Sequence, residues 1–374
     1  MRFPRCRIQV ILVTSYHGCT NVHLLTQLPG FRQRYASASE VHAATQAHRP
    51  DAPVRIALLS NPMAQTNWRS VGHDRLVKVM PDPLLCVSTP SLLDIEWGLD
   101  HLLLQKHANV LVINGGDGTI HHTLNALFAL LDRQKEEFGI TIPVPRLLLV
   151  NGGGMNMLAR VFRTRGHPIK TLRTFIKRAG GRPLGRLKSI HVPLLKLSQD
   201  DAIRYGFIFG SELVHNALAL YERFGRGYRG LTRFFSELGR AYVLRNEMWE
   251  KFGHLIHPPE SPLSIDGSHA SLYGAFVAST VPMTLALGGV RTFTNHPPPG
   301  RLNAVHVTAR DPLGIISTIP FLMMGIQGPG YRLSSDVKHA SMSGAYTLDG
   351  ELFSPPDGTF DVSLAHRSIE GVIL

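Results

Sequence analysis

The run Asn114-Gly115-Gly116-Asp117-Gly118-Thr119 follows an apolar stretch, Val110-Leu111-Val112-Ile113, and precedes a segment in which Ile120, Leu124, Leu127, Phe128 and Leu131 recur at helical spacing. Its three glycines allow backbone angles that a Cβ forbids, so several N–H groups can face one anion. A turn in that place sits at a helix N-terminus, where unpaired N–H groups and the helix dipole favour phosphate. Asp117 makes the turn more specific. A carboxylate about 4 Å from another unit negative charge is repelled by roughly 4 kcal/mol at an effective dielectric near 20. Three roles account for an acid here: holding a divalent cation, turning toward a substrate hydroxyl, or fastening the loop by accepting backbone N–H bonds.

Gly-Gly-Asp-Gly-Thr followed by a helix carrying Asn125-Ala126-Leu127 resembles the catalytic domain of diacylglycerol kinases, sphingosine kinases and their bacterial lipid-kinase relatives. NAD kinases and phosphofructokinases share the shorter Gly-Gly-Asp-Gly core, and the Asn-Ala-Leu helix favours the lipid branch. The resemblance runs from about residue 54 to about residue 365 and is strongest around 110–127. It implies an enzyme that uses ATP and Mg2+ to phosphorylate a diacylglycerol-like or sphingoid hydroxyl, with the active site between a nucleotide domain and a β-sandwich. An NAD kinase-like enzyme and a non-catalytic nucleotide-binding regulator are the alternatives.

Carried onto this sequence, the resemblance implies a nucleotide set of Asn61, Thr89, Gly115, Gly116, Asp117, Gly118, Thr119, Gly152, Gly153, Gly154 and Asn156. Asn61 matches the family's Asn-Pro loop under the phosphates, although Met63-Ala64-Gln65 replaces the usual Ser-Gly. Thr89 stands where relatives place a threonine near the nucleotide, and its Ser-Thr-Pro-Ser surroundings read equally as a helix N-cap. In residues 151–160 relatives carry a segment close to GTGNDFAR. Here Gly154, Met155 and Met157 take the places of the Thr, Gly and Asp, which removes a phosphate-binding hydroxyl and a carboxylate that helps organise a metal. The N–H groups of the glycine run remain, and they need no side chain to hold phosphate.

Asp117 is the implied metal ligand and one implied catalytic residue. The others are Asp349 and Glu351 of Leu348-Asp349-Gly350-Glu351. Alone, Asp-Gly signals a hairpin turn. The resemblance brings both acids to the cleft, with Asp349 as general base and Glu351 as its support. His121 and His122, where many relatives have Glu at the second position, read as surface or cap histidines, because adjacent helical positions point about 100° apart.

These residues need an α/β frame. Residues 54–60, 84–88, 110–113 and 147–150 are apolar strand runs, and residues 91–105 place Leu92, Ile95, Leu99, Leu102 and Leu103 on one helical face. Alternation of this kind predicts a parallel sheet covered on both faces, with ligand beyond the strands' carboxyl ends. Residues 168–179 form another amphipathic helix stopped by Gly180-Gly181. Later runs at 186–197, 205–209, 271–279, 303–310, 343–348 and 359–365 read as antiparallel strands between Gly and Pro turns. The expected organisation is an extension over residues 1–50, a doubly wound nucleotide-binding domain over 51–185, and a mainly antiparallel β-sandwich domain over 186–374.

The chain of 374 residues carries 39 Lys and Arg against 27 Asp and Glu, a formal charge of +12 that favours anionic partners. Nucleic acid is disfavoured, since no zinc-finger spacing, RNP-like aromatic motif or basic heptad helix is present. Cys6, Cys19 and Cys86 are too scattered for a disulfide framework. The first fifty residues hold six arginines and a single acid, Glu40, without sustained periodicity. No apolar run reaches the length of a membrane span. The expected place is the cytoplasm, peripheral on the inner face of the membrane, with a lipid substrate at the membrane surface and a homodimer left open. Residues 213–245 would offer one lipid-facing arginine stripe if they formed a continuous helix.

Overall fold

The computed structural model of the chain describes residues 36–64, 67, 72–153, 157–164, 166–221, 223, 228–253, 261–269, 271–285, 290–309, 312–353 and 358–374. The first half runs α1 (Ala38–Ala47), β1 (Ile56–Ser60), α2 (His73–Val77), β2 (Cys86–Ser88), α3 (Leu92–Leu99), β3 (Val110–Gly115), α4 (Asp117–Phe138), β4 (Arg146–Asn151), α5 (Met157–Val161) and α6 (Pro168–Ala179). Strands β2, β1, β3 and β4 pair in that order, all parallel. Successive residues of one strand serve opposite cores. Ala57, Leu59, Leu111, Ile113, Leu147 and Leu149 pack with Ile120, Leu124, Leu127 and Phe128 of α4, whereas Ile56, Leu58, Val110, Val112, Leu148 and Val150 pack with Leu76 of α2 and Leu172 and Phe175 of α6. This is the doubly wound arrangement, and it explains why these strands read as unbroken apolar runs.

The second half runs β5 (Ser189–Gln199), β6 (Ala202–Gly206), β7 (Ile208–Glu212), α7 (Leu213–Tyr221), α8 (Tyr228–Leu244), α9 (Glu247–Phe252), β8 (Pro262–Ile265), β9 (Ser271–Leu272), β10 (Ala275–Ser279), β11 (Met283–Leu285), β12 (Val290–Phe293), β13 (Leu302–Val307), α10 (Pro312–Met324), β14 (Tyr331–Val337), β15 (His339–Ser343), β16 (Tyr346–Leu348), β17 (Glu351–Phe353) and β18 (Thr359–Val372). A six-stranded antiparallel sheet, β14-β13-β10-β7-β16-β17, faces β5, β8, β15 and β18. Between them Leu195, Leu197, Phe209, Phe276, Tyr346, Leu348, Phe360 and Val362 form the sandwich core. The halves are not separate bodies. Strand β18 pairs antiparallel with β5 and β15 and also lies parallel beside β4, with Gly371 opposite Leu147. The Asn125 amide adds a second tie, giving Nδ2 to the Tyr205 carbonyl at 2.9 Å and taking the Tyr205 N–H at 2.9 Å.

Three expectations change. The described part of the extension is structured: α1 begins at a capping box of Ser37 and Glu40, buries Val41 and Ala44 in the first core, and ends where Asn109 donates to the Ala47 carbonyl. Residues 1–35 lie outside the described residues. The helix over 91–105 starts at Ser91, capped with Asp94, but becomes a π turn at Asp100–Gln105. That extra width rotates the phase, so Leu104 is buried with Leu102 and Leu103 while Leu92 is exposed. Residues 213–245 are two helices, α7 and α8, rather than one, so a single arginine stripe does not run along them. Among the described residues no helix is long and apolar enough to cross a membrane.

Candidate active site

The carboxyl ends of β1, β3 and β4 meet at two glycine turns. The Asn61 N–H donates to the Asn114 carbonyl at 2.9 Å, and Asn61 Nδ2 donates to Thr119 Oγ1 at 2.9 Å. Asn114 Nδ2 reaches Ser60 Oγ at 2.9 Å, and Asn67 Nδ2 reaches the Asn61 carbonyl at 2.6 Å. Asn67 carried no sequence signal; it is a brace that only the folded loop reveals. None of Gly115, Gly116, Gly118, Gly152 and Gly153 has a positive φ. These glycines serve space rather than unusual angles, which corrects the reason expected for them. A Cβ on Gly116 would stand 3.4 Å from Gly153 Cα, and one on Gly152 would stand 2.7 Å from the Gly115 nitrogen, so the turns pack backbone to backbone. Gly154 and Asn156 lie outside the described residues.

Asp117 joins the turns. Its carboxylate accepts N–H bonds from Met157 at 3.2 Å and Leu158 at 3.0 Å, capping the start of α5. Of the three roles open to it, fastening the loop is the one seen. Burial pushes its carboxyl above the usual carboxylate range, opposed by those two N–H bonds. Thr89 is buried, with its N–H on the Ser60 carbonyl and its methyl against Gly98, so its hydroxyl does not face solvent.

Asp349 and Gly350 are the two central residues of the β16–β17 hairpin, with φ of 55° and 92°. Asp349 Oδ1 accepts the N–H groups of Phe207 at 2.8 Å and Ile208 at 3.0 Å, and Oδ2 lies 3.1 Å from His121 Nδ1. Its side chain is 0% exposed, which corrects two expectations at once. Asp349 is enclosed and fully bonded rather than open to a substrate hydroxyl. His121 is its buried partner rather than a surface residue, because the Asn125 tie turns that face of α4 onto the sandwich. The open acid is Glu351. Its carboxylate abuts Gly118, and Oε2 lies 3.5 Å from His122 Nε2, with side chains 38% and 33% exposed.

Beside α5 a cavity of about 640 Å³ opens between the halves, lined by Asn151, Met157, Arg160, Val161, Arg163, Thr164 and Gly166 on one side and Ile208, Pro282, Met283 and His296 on the other. Arg163 holds φ at 56°, a left-handed conformation costing an L-residue about 1–2 kcal/mol. The sequence signalled this cavity only through its excess of positive charge.

One buried acid stands apart. Glu212, at φ 56°, is 6% exposed and accepts from Ser261 Oγ at 2.7 Å; burial pushes its carboxyl up. A raised folded-state value means the stability tied to this group is fully present below its unfolded value, about 4.3, and is lost as pH rises through the folded value. Glu212→Gln, which keeps an acceptor for Ser261, is therefore expected to raise Tm more at pH 8 than at pH 5. Equal shifts at both pH values would contradict this.

Residues 100–182 match the diacylglycerol kinase catalytic domain. No curated protein sequence matches the chain. Among solved structures, the chain is similar to a diacylglycerol kinase from Bacillus anthracis strain Sterne, with TM-score 0.54 at 13% identity, over 86% of this chain and 97% of that one. A second protein of that organism, provisionally assigned as a diacylglycerol kinase, gives TM-score 0.57 at 15% identity with the same coverage. At such identities the likeness is one of fold. An NAD kinase from Archaeoglobus fulgidus in complex with ATP gives 0.43, too low to carry an argument.

Proposed function

We propose that this chain, whose residues 100–182 belong to the diacylglycerol kinase catalytic-domain family, is an ATP-dependent lipid kinase. The observation that carries the reading is convergence: the phosphate-type turn of residues 115–119 receives an open carboxylate, Glu351, from the second sheet, against Gly118. A turn of N–H groups alone binds; a turn with a carboxylate aimed at its edge can also accept a proton. Positioning of both groups is most of what phosphoryl transfer requires.

In this reading the N–H groups of the two turns hold the phosphates, and Asp117 keeps the turns in register through α5. Among the described residues no three His, Cys, Asp or Glu side chains could cage a metal by themselves. The ion that fits is one held by phosphate oxygens and a single carboxylate, which is how magnesium binds, and Asp117 is the acid placed for it. Magnesium-bound ATP supplies the phosphoryl group and neutralises its charge. Glu351, paired with His122, takes the proton of the acceptor hydroxyl while a new O–P bond forms and the bond to the bridging oxygen breaks. General base catalysis of this kind contributes about 10²–10⁴-fold. Asp349 is a positioning residue. The acceptor enters by the cavity beside α5, whose wall of Val161, Ile208, Pro282 and Met283 suits an apolar body. The net positive charge favours approach to an anionic bilayer at the cytoplasmic face.

The test is incubation with γ-labelled ATP, magnesium, and a panel of diacylglycerol, phosphatidylglycerol, ceramide, sphingosine and NAD. Label in a lipid is expected. Label in NAD alone would overturn the lipid assignment, and ATP binding without label in any acceptor would favour a regulatory protein.

A further inference from the structure

We infer that the cavity beside α5 recognises an acceptor carrying a phosphate ester next to its free hydroxyl, rather than a neutral glyceride; this rests on the kinase reading above. Arg160 and Arg163 rim the space from one half, His296 faces them from the other, and no carboxylate is among the lining residues. Asn151 gives its Nδ2 to the Gly166 carbonyl at 3.1 Å, while its buried Oδ1 has no partner. A hydroxyl neighbouring the phosphate would supply the missing donor. Arg163 keeps its left-handed backbone where glycine would sit without strain, and the conformation sets a guanidinium at the cavity wall.

The charge is not explained by the nucleotide. No lining residue comes from β1, β3 or the 114–119 turn, which have their own cradle of N–H groups. The apolar wall and the basic rim share one cavity, so the ligand that satisfies both has an apolar body and a single anionic group. Arginine suits that group because its planar fork pairs with phosphate oxygens two at a time. The lipid form of this chemistry is a phospholipid with a free headgroup hydroxyl; the soluble form is a glycerol phosphate.

The experiment pairs binding with turnover, using Arg163→Gly, which removes the charge and fits the backbone. By calorimetry, glycerol 3-phosphate is expected to bind the wild-type protein at least tenfold more tightly than glycerol. Arg163→Gly should lose at least tenfold of that binding while ATP affinity stays within twofold. With γ-labelled ATP and vesicles of phosphatidylcholine containing either phosphatidylglycerol or diacylglycerol, label is expected chiefly in phosphatidylglycerol, with the preference reduced in the variant. Label in glycerol 3-phosphate but not in the vesicles would assign the site to the soluble ester. Discrimination in binding with no label anywhere would keep the anion site and remove the kinase reading. Equal binding of glycerol and its phosphate, preference for diacylglycerol, or a variant that weakens ATP instead would overturn the inference.

Discussion

Asp349→Ala is expected to lower unfolding stability by about 3–5 kcal/mol, the usual loss when one partner of a buried ionic pair is removed. The physical reason is local. The carboxylate accepts from Phe207 and Ile208 and pairs with His121, and its removal leaves two buried N–H groups and an imidazole without their acceptor. Each unsatisfied group costs about 1–3 kcal/mol before relaxation. Because the β16–β17 hairpin would then lose its hold on β7 and on α4, Glu351 should drift from Gly118 and turnover should vanish with the stability. Asp349→Asn keeps the shape and one acceptor, so its loss of stability should be clearly smaller. Urea denaturation of both variants checks this, and an alanine variant within about 1 kcal/mol of wild type would contradict the anchoring role.

Gly152→Ala is expected to raise the ATP dissociation constant at least a hundredfold without unfolding the protein. Its Cβ would lie 2.7 Å from the Gly115 nitrogen, 2.8 Å from Asn114 Oδ1 and 2.9 Å from Asn67 Nδ2. A backbone nitrogen in a packed turn cannot step aside as a side chain does, and that nitrogen belongs to the proposed phosphate cradle. Gly118→Ala is the contrast. The added methyl meets only the Glu351 carboxylate, the far end of a flexible side chain. Nucleotide affinity should therefore hold within a few-fold while turnover falls, because the displaced group is the proposed base. Calorimetric titration with ATP and circular dichroism on both variants separate the two effects. Unchanged affinity in Gly152→Ala would show that the turns can part without loss of the site.

The parallel half was legible because a strand buried on both faces must be apolar at every position, as β1 and β3 are. The glycine turns were legible by type but not by reason, since only coordinates show that Gly152 and Gly116 are required by close approach. His121 was misread because its partner, Asp349, lies 228 residues later, beyond any helical periodicity. The exchange of roles between Asp349 and Glu351 has the same origin: two acids in one hairpin look equivalent until β7 encloses the first and leaves the second at the turn. Leu92 and Leu104 changed places because a π turn alters the phase of a helix whose sequence gives no mark of it. The Arg163 side of the cavity was hidden for a further reason, that its walls come from segments more than a hundred residues apart.

The most direct measurement is transfer of label from γ-labelled ATP to lipid by wild-type protein and by Glu351→Gln, alongside ATP affinity for each. The account predicts labelled lipid from the wild type, a loss of about 10²–10⁴-fold in Glu351→Gln, and ATP affinity within a few-fold of wild type. Undiminished transfer by Glu351→Gln, or no labelled lipid from wild-type protein that binds ATP, would contradict it.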